Sequence, residues 1–263
     1  MSGNMRRRRQ RLGQHFLRDQ RIAAAIAATL PDPPGAVLEI GPGRGALTRP
    51  LLERFGRVRA VELDRELARA LAGRLGRPAG LEVVEADALE ADLDSLCAGG
   101  PWLVAGNLPY SVGTAILRRL LPRHDLFSTL VLMLQHEVVQ RLVAGPGARE
   151  RGLLSVEVEA YALAKLLFTV PARCFLPPPR VLSAVVRLDL HRLPAPPAQV
   201  SRALELAGVA FTHRRKKLAN ALAAAVPPAE TSSHLFAFGL VPGVRPEDLA
   251  LDHWLELAST LPQ

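Results

Sequence analysis

Short apolar runs alternate with helical stretches through much of this chain, and that alternation limits its fold more than any other feature. Val37–Ile40, Val58–Val61, Leu81–Val84, Leu103–Ala105 and Thr129–Leu134 read as strands. Between them, Leu47–Phe55, Arg65–Leu75, Thr114–Leu121 and His136–Val143 carry apolar residues at helical spacing. Strand alternating with helix builds βαβ units on a parallel sheet. Two further strand-like runs, Leu166–Val170 and Ser183–Leu190, are joined across Pro171 and the Pro177-Pro178-Pro179 tract. A pair so linked could close the edge of the sheet as an antiparallel hairpin.

The chain then changes character. Leu193-Pro194-Ala195-Pro196-Pro197 reads as a linker. Beyond it the pattern is wholly helical. Ser201 can cap a helix through Phe211, and a second runs through Ala225 until Pro227-Pro228 stops it. Two short helices follow, the last started by Pro246 with Glu247 and Asp248 in its first turn. The expected organisation is an α/β domain over residues 1–190 and a small all-helical domain over residues 191–263.

Open α/β sheets place ligands at the carboxyl ends of their strands, and four such ends carry candidate residues here. Glu39-Ile40-Gly41-Pro42-Gly43-Arg44-Gly45 follows the first strand, and its glycines allow a sharp turn and close approach to a ligand. With Ala46 it also satisfies the dinucleotide pattern G-x-G-x-x-A, so it fits a nicotinamide cofactor as well as S-adenosylmethionine. Glu62 ends the second strand, 21 residues after Gly41, where a carboxylate can accept both hydroxyls of a ribose. Asp87 ends the third. It can accept from an adenine amino group, or simply cap the next helix. The fourth strand runs into Asn107-Leu108-Pro109-Tyr110, an amide, a proline and an aromatic within four positions. That tetrapeptide is either a catalytic loop or an ordinary Asn/Pro turn.

Composition narrows the partners. The net charge is +8. The excess is almost entirely arginine, whose planar fork suits phosphate and stacks on bases. Arg6, Arg7, Arg8, Arg9 and Arg11 crowd the N-terminus, and Arg214, Arg215, Lys216 and Lys217 form a second cluster. Two separated basic clusters fit a polyanion wrapped across a surface, although Arg6–Arg9 alone would also suit a solvated tail. No stretch is apolar enough to span a bilayer, and the basic N-terminus lacks the apolar core of a secretory signal. Cys97 and Cys174 have neither metal nor redox spacing, and the histidines show no ligand pattern, so no metal is expected and the thiols suit a reducing, cytoplasmic setting.

These pieces together resemble the bacterial small-subunit ribosomal RNA adenine dimethyltransferases. Arg11-Leu12-Gly13-Gln14-His15-Phe16-Leu17 is similar to their N-terminal Gly-Gln-Asn-Phe-Leu motif, with His15 where Asn is usual. Asn107–Tyr110 resembles their catalytic tetrapeptide, and Met133-Leu134-Gln135-His136-Glu137-Val138-Val139 their strand-to-helix junction. Phe175-Leu176-Pro177-Pro178-Pro179-Arg180-Val181 and Ala210–Leu222 match two later motifs. Departures are Ser111–Ala115 after the tetrapeptide and Arg173-Cys174 before Phe175.

The resemblance implies a Rossmann-like class I S-adenosylmethionine-dependent methyltransferase domain with a small helical companion. It implies cofactor contacts at His15, Leu17, Gly41, Glu62, Asp87 and Asn107. Asn107 and the Leu108 carbonyl would orient the amino group, Pro109 would stiffen the loop, and Tyr110 and Phe175 would sandwich the base. The implied activity is N6,N6-dimethylation of two adjacent adenosines near the 3′ end of 16S rRNA in an immature small subunit, by a monomer. The competing readings are a large-subunit rRNA methyltransferase of the macrolide-resistance type, an idle ribosome-assembly or transcription factor on the same fold, and a nicotinamide dehydrogenase.

Overall fold

The computed structural model describes residues 15–32, 35–223, 226–241 and 243–261. The chain divides into two compact units. The first holds the described residues up to Val139 together with Ala164–Leu190, and the second holds Gln140–Leu163 together with the described residues from His191 onward. The helical unit thus recruits residues 140–163, which the sequence pattern groups with the sheet. The described helices include none long and apolar enough to cross a membrane.

In chain order the first unit carries β1 (Phe16–Leu17), α1 (Gln20–Thr29), β2 (Val37–Ile40), α2 (Thr48–Phe55), β3 (Val58–Glu62), α3 (Arg65–Arg74), β4 (Leu81–Glu85), α4 (Leu93–Leu96), β5 (Trp102–Asn107), α5 (Gly113–Leu120) and β6 (Phe127–Gln135). There follow α6 (His136–Leu142), α7 (Leu153–Tyr161), β7 (Ala162–Val170), β8 (Phe175–Leu176) and β9 (Ser183–Leu190). Seven strands form one sheet in the order β4-β3-β2-β5-β6-β9-β7. The five from β4 to β6 run parallel, and β9 enters antiparallel beside β6. A separate two-stranded ladder pairs Phe16 with Leu176 and Leu17 with Phe175.

Physical chemistry fixes these elements locally. Asp64 caps α3 by accepting from the backbone N–H groups of Glu66 and Leu67, and Asp92 caps α4 in the same way. Gly56 ends α2 in the left-handed conformation that glycine tolerates. All four residues of β2 are buried, as expected where helices cover both faces of a parallel sheet. Val37, Val58, Leu103, Ala105, Val131 and Val185 pack one face of the sheet against Ala23, Ile26 and Leu51 of α1 and α2.

The second unit adds α8 (Pro197–Thr212), α9 (Leu218–Ala221), α10 (Pro228–Ala237), a 3-10 turn (Pro246–Asp248) and α11 (Leu251–Thr260). Its core packs Val156, Leu206, Ala207 and Leu235 around Trp254. Three expectations change here. Pro196 precedes α8 and Pro197 opens it, which leaves Ser201 inside the helix. Pro227-Pro228 open α10 rather than stop a helix, because proline fits the first turn, where no N–H is needed. Pro246 starts only a 3-10 turn, and α11 begins at Leu251. Ala225 lies outside the described residues.

Candidate active site

Strand register brings the site together. Gly106, Ile40, Val61 and Val84 stand side by side across β5, β2, β3 and β4. One residue further on, Asn107, Gly41, Glu62 and Glu85 form the carboxyl-terminal rim. A cleft over this rim is lined by His15, Phe16, Leu17, Glu39, Gly41, Glu62 and Asn107–Tyr110 among others. A second cleft, lined by Leu63, Ala86, Asp87, Ala88, Ser111 and Ile116, shares Gly41, Glu62 and Pro109 with the first. The shared residues make one continuous groove.

Gly41 and Gly43 hold positive φ angles of 66° and 57°. A Cβ on Gly43 would meet the Phe16 ring at 2.9 Å, so only glycine fits both the turn and the close approach. The loop is tied down by Glu62, whose Oε2 accepts from the Gly43 N–H at 3.0 Å and whose Oε1 accepts from the Asp64 N–H at 2.9 Å. Burial pushes the Glu62 carboxyl above the usual carboxylate range, against the pull of those two amides. Asp87 uses Oδ1 to accept from the Leu89 N–H at 2.8 Å, which shapes the turn after β4. Asp87 therefore does cap a turn, and it also lines the groove.

Asn107 ends β5, and its Nδ2 donates to the His15 carbonyl at 2.9 Å. That bond fixes which way the amide faces and leaves Oδ1 as its acceptor. The Pro109 carbonyl accepts from the N–H groups of Val112 and Gly113, closing the tetrapeptide onto α5. The Tyr110 hydroxyl shares a 2.6 Å hydrogen bond with Ser183 Oγ, and the His15 ring packs 5.4 Å from the Tyr110 ring at 34°. Burial raises the Tyr110 phenol, partly offset by Ser183. His15 Nδ1 in turn bonds the Pro177 carbonyl at 2.8 Å.

Phe175 does not join this group. It is 1% exposed, pairs with Leu17 in the small ladder, and belongs to the core beneath the sheet. The reason is local: the ladder turns Phe175 inward and leaves Leu176 at the surface. Arg173 and Cys174 likewise sit in a 3-10 turn away from the cleft linings, whereas Ser111 and Val112 do line the groove. In the helical unit the basic cluster lies on the turn between α8 and α9. Arg215, Lys216 and Lys217 are exposed, while Arg214 donates to the Arg149 carbonyl and pairs with Glu247 at 3.7 Å. Arg6–Arg9 and Arg11 lie outside the described residues.

Glu39 is the site residue that motif spacing passes over. It is 1% exposed at the cleft, its Oε2 has no hydrogen-bond partner, and burial pushes its carboxyl up to about 8, with Thr48 pulling down and Glu62 pushing further up. A lone carboxylate inside the otherwise apolar run Val37-Leu38-Glu39-Ile40 was the available signal. A carboxyl raised from 4.5 to about 8 keeps its proton in the folded state, so its stability contribution is full below the unfolded value and is lost as pH rises towards 8. Thermal unfolding of the ligand-free protein should therefore move to lower temperature across that window. Glu39→Gln should flatten the slope; a wild-type slope retained in the variant would refute this origin.

A family model described as ribosomal RNA adenine dimethylase matches residues 5–263. The chain belongs to the ribosomal RNA adenine dimethylase family. Among the relatives, the "Ribosomal RNA small subunit methyltransferase A" of Alcanivorax borkumensis is 44% identical over 256 residues, covering 96% of this chain and 90% of its own. The protein of the same name from Thermosynechococcus vestitus is 43% identical, with 98% of both chains covered. The crystal structure of the 23S rRNA methyltransferase ErmE superposes with a TM-score of 0.74 at 28% identity, over 94% of this chain and all of that one. A dimethyladenosine transferase from Plasmodium falciparum gives a TM-score of 0.76 at 23% identity, over 92% and 96%, which speaks for the fold. The dimethylase is thus an S-adenosylmethionine-dependent rRNA adenine methyltransferase of class I fold. The structure fits that cofactor, with a glycine turn that a Cβ would fill, acidic acceptors at successive strand ends, and an unpartnered buried Glu39 oxygen.

Proposed function

We propose that the enzyme dimethylates N6 of two adjacent adenosines near the 3′ end of 16S rRNA, acting as a monomer on immature small subunits in the cytoplasm. The observation that carries the reading is the Asn107 amide, held by the His15 carbonyl at the end of β5 beside Tyr110. Gly41, Glu62 and Asp87, with His15 and Leu17 in the same groove, would hold S-adenosylmethionine, whose sulfonium supplies an activated methyl group.

The chain's own residues have a positioning task. Adenine's exocyclic nitrogen is a poor nucleophile because its lone pair is delocalised into the ring. Asn107 Oδ1 and the Leu108 carbonyl accept its two hydrogens, turning the lone pair towards the methyl and favouring a pyramidal nitrogen. Pro109 stiffens the loop and brings no competing N–H. Tyr110 offers a face for the base, which must leave its stack to enter. Fixing the two reactants supplies much of the rate.

Unmodified small and large subunits, each incubated with enzyme and cofactor, test the assignment by mass mapping of methylated nucleotides. Two adjacent dimethyladenosines in 16S rRNA are expected; methylation confined to 23S rRNA, as the ErmE likeness would allow, overturns it.

The exposed Arg215, Lys216 and Lys217 would contact RNA phosphates. Their replacement by Gln should weaken subunit binding and flatten the log K against log salt slope by about 2–3, at about 0.7–0.9 per lost phosphate contact. An unchanged slope would remove the turn from the RNA surface.

A further inference from the structure

We infer that Arg119 is a positioning residue for cofactor binding, a role that rests on the functional reading above, in which Asp87 helps to hold S-adenosylmethionine. Arg119 ties the turn that carries Asp87 to α5, and so sets where the Asp87 carboxylate can meet the adenine amino group of the cofactor.

The turn after β4 winds around Asp87. The Asp87 carbonyl accepts from the N–H groups of Glu90 and Ala91 at 3.0 and 2.8 Å, and its Oδ1 accepts from the Leu89 N–H at 2.8 Å. Oδ2 is thereby the carboxylate oxygen left to meet a ligand donor. The entry of the turn is anchored on the sheet, where the Ala86 N–H donates to the Glu62 carbonyl at 3.1 Å. Its far side is held by Arg119. Nη1 donates to the Ala88 carbonyl at 2.6 Å, and Nη2 donates to the Ala91 carbonyl. The planar guanidinium fork spans two carbonyls three residues apart, which a single ammonium does not. At the end of the turn, the Asp92 carboxyl is held below the usual carboxylate range, first by Ser95 and also by the Arg119 charge.

The helix that supplies Arg119 also lines the groove. Val112, just before α5, and Ile116 within it share the groove lining with Asp87, Ala88 and Leu89. Arg119 follows Ile116 by about one turn, so one helix both lines the groove and grips the Asp87 turn. Ile116, Leu117 and Leu120 are buried and hold α5 in place without Arg119. The start of α5 is closed onto the tetrapeptide by the Pro109 carbonyl. Shortening Arg119 therefore releases the Asp87 turn while Asn107 and Tyr110 keep their places. The defect should fall on cofactor affinity and leave the methyl transfer itself intact.

The test compares wild type, Arg119→Met and Arg119→Lys by calorimetry with two probes. One is S-adenosylhomocysteine, and the other is the same molecule with hydrogen in place of the adenine amino group. Wild type should prefer the amino-bearing probe by about tenfold, as expected for a hydrogen bond to a charged acceptor. In Arg119→Met that preference should shrink to about twofold or less, because the acceptor is no longer held in place. In methylation of unmodified small subunits, its KM for S-adenosylmethionine should rise by about tenfold while kcat at saturating cofactor stays within about twofold. Arg119→Lys keeps the charge but reaches one carbonyl, so its preference and KM should fall between the other two. An Arg119→Met that keeps the wild-type preference, or loses kcat with KM unchanged, overturns the proposal. Should the methionine variant fail to fold, a lysine variant with the wild-type preference does the same. A wild type indifferent to the amino group would remove adenine from Asp87, and the role of Arg119 with it. That failure of the underlying reading is distinguishable, because it shows in the wild type alone.

Discussion

Asn107→Ala is expected to lower the single-turnover rate of methyl transfer by about 10²–10³-fold, the loss typical when one fixed hydrogen-bonding group is removed from a site of developing charge. The amide acts at both ends. Its Nδ2 is anchored on the His15 carbonyl, which leaves Oδ1 as the atom that, in the proposed role, would accept from the base. Alanine removes the acceptor and frees the His15 segment together. Asn107→Asp separates the two effects, since it retains an acceptor but sets a carboxylate oxygen against the His15 carbonyl in place of a donor. Aspartate should therefore lose rate and also weaken cofactor binding, because β1 lines the cofactor cleft. Rapid-quench assays with labelled methyl donor, paired with binding calorimetry, read both quantities. An Asn107→Ala rate equal to wild type would sink the catalytic assignment.

Arg151→Met should destabilise the helical unit by about 3–5 kcal/mol, the cost of breaking a buried ion pair from one side. Arg151 is fully buried. It forms a bidentate pair with Glu159 at 2.5 and 2.7 Å and donates to the carbonyls of Ala144 and Leu249. One guanidinium thereby satisfies groups from three separated segments of that unit. Methionine fills the volume but leaves two carbonyls and a partly buried carboxylate without their donor. At roughly 4 °C per kcal/mol for a unit of this size, its melting transition should fall by more than 10 °C. The double variant Arg151→Met with Glu159→Leu should recover part of the loss, since an apolar pair avoids the uncompensated charge. Calorimetry showing the same transition in wild type and Arg151→Met would refute this account.

Strand positions were legible in the sequence because buried parallel strands are continuous apolar runs with period-independent burial. Val37–Ile40 and Ser183–Leu190 coincide with β2 and β9, β3 to β7 extend the expected runs by one to four residues, and the two-residue β1 and β8 answer to no expected run. Helices were read less evenly. Ser155-Val156-Glu157-Val158-Glu159 alternates with the period of a strand yet lies in α7. Tertiary burial of Val156 and Val158, with Ser155 Oγ accepting from the Gly152 N–H, overrides that local pattern. Pro227-Pro228 read as a stop where they open α10, because proline suits the first turn of a helix as well as the end of the preceding one.

The site divides along the same line. The sequence could bring Gly41, Glu62, Asp87 and Asn107 together because each lies at or just after a strand end, and parallel register sets those ends on one rim. It named Phe175 but could not place it, because the direction of its ring depends on which way a two-residue ladder turns. By itself the sequence determined a parallel α/β sheet with its chemistry at the carboxyl ends and a helical companion, since burial and strand-end geometry act locally along the chain. Only the tertiary structure decided that Glu39 is buried without a partner for Oε2, that Phe175 is core, and that His15 holds Asn107, Tyr110 and Pro177 together. Those outcomes depend on contacts between residues as much as 162 positions apart, and no local pattern encodes which partner a buried polar atom will find.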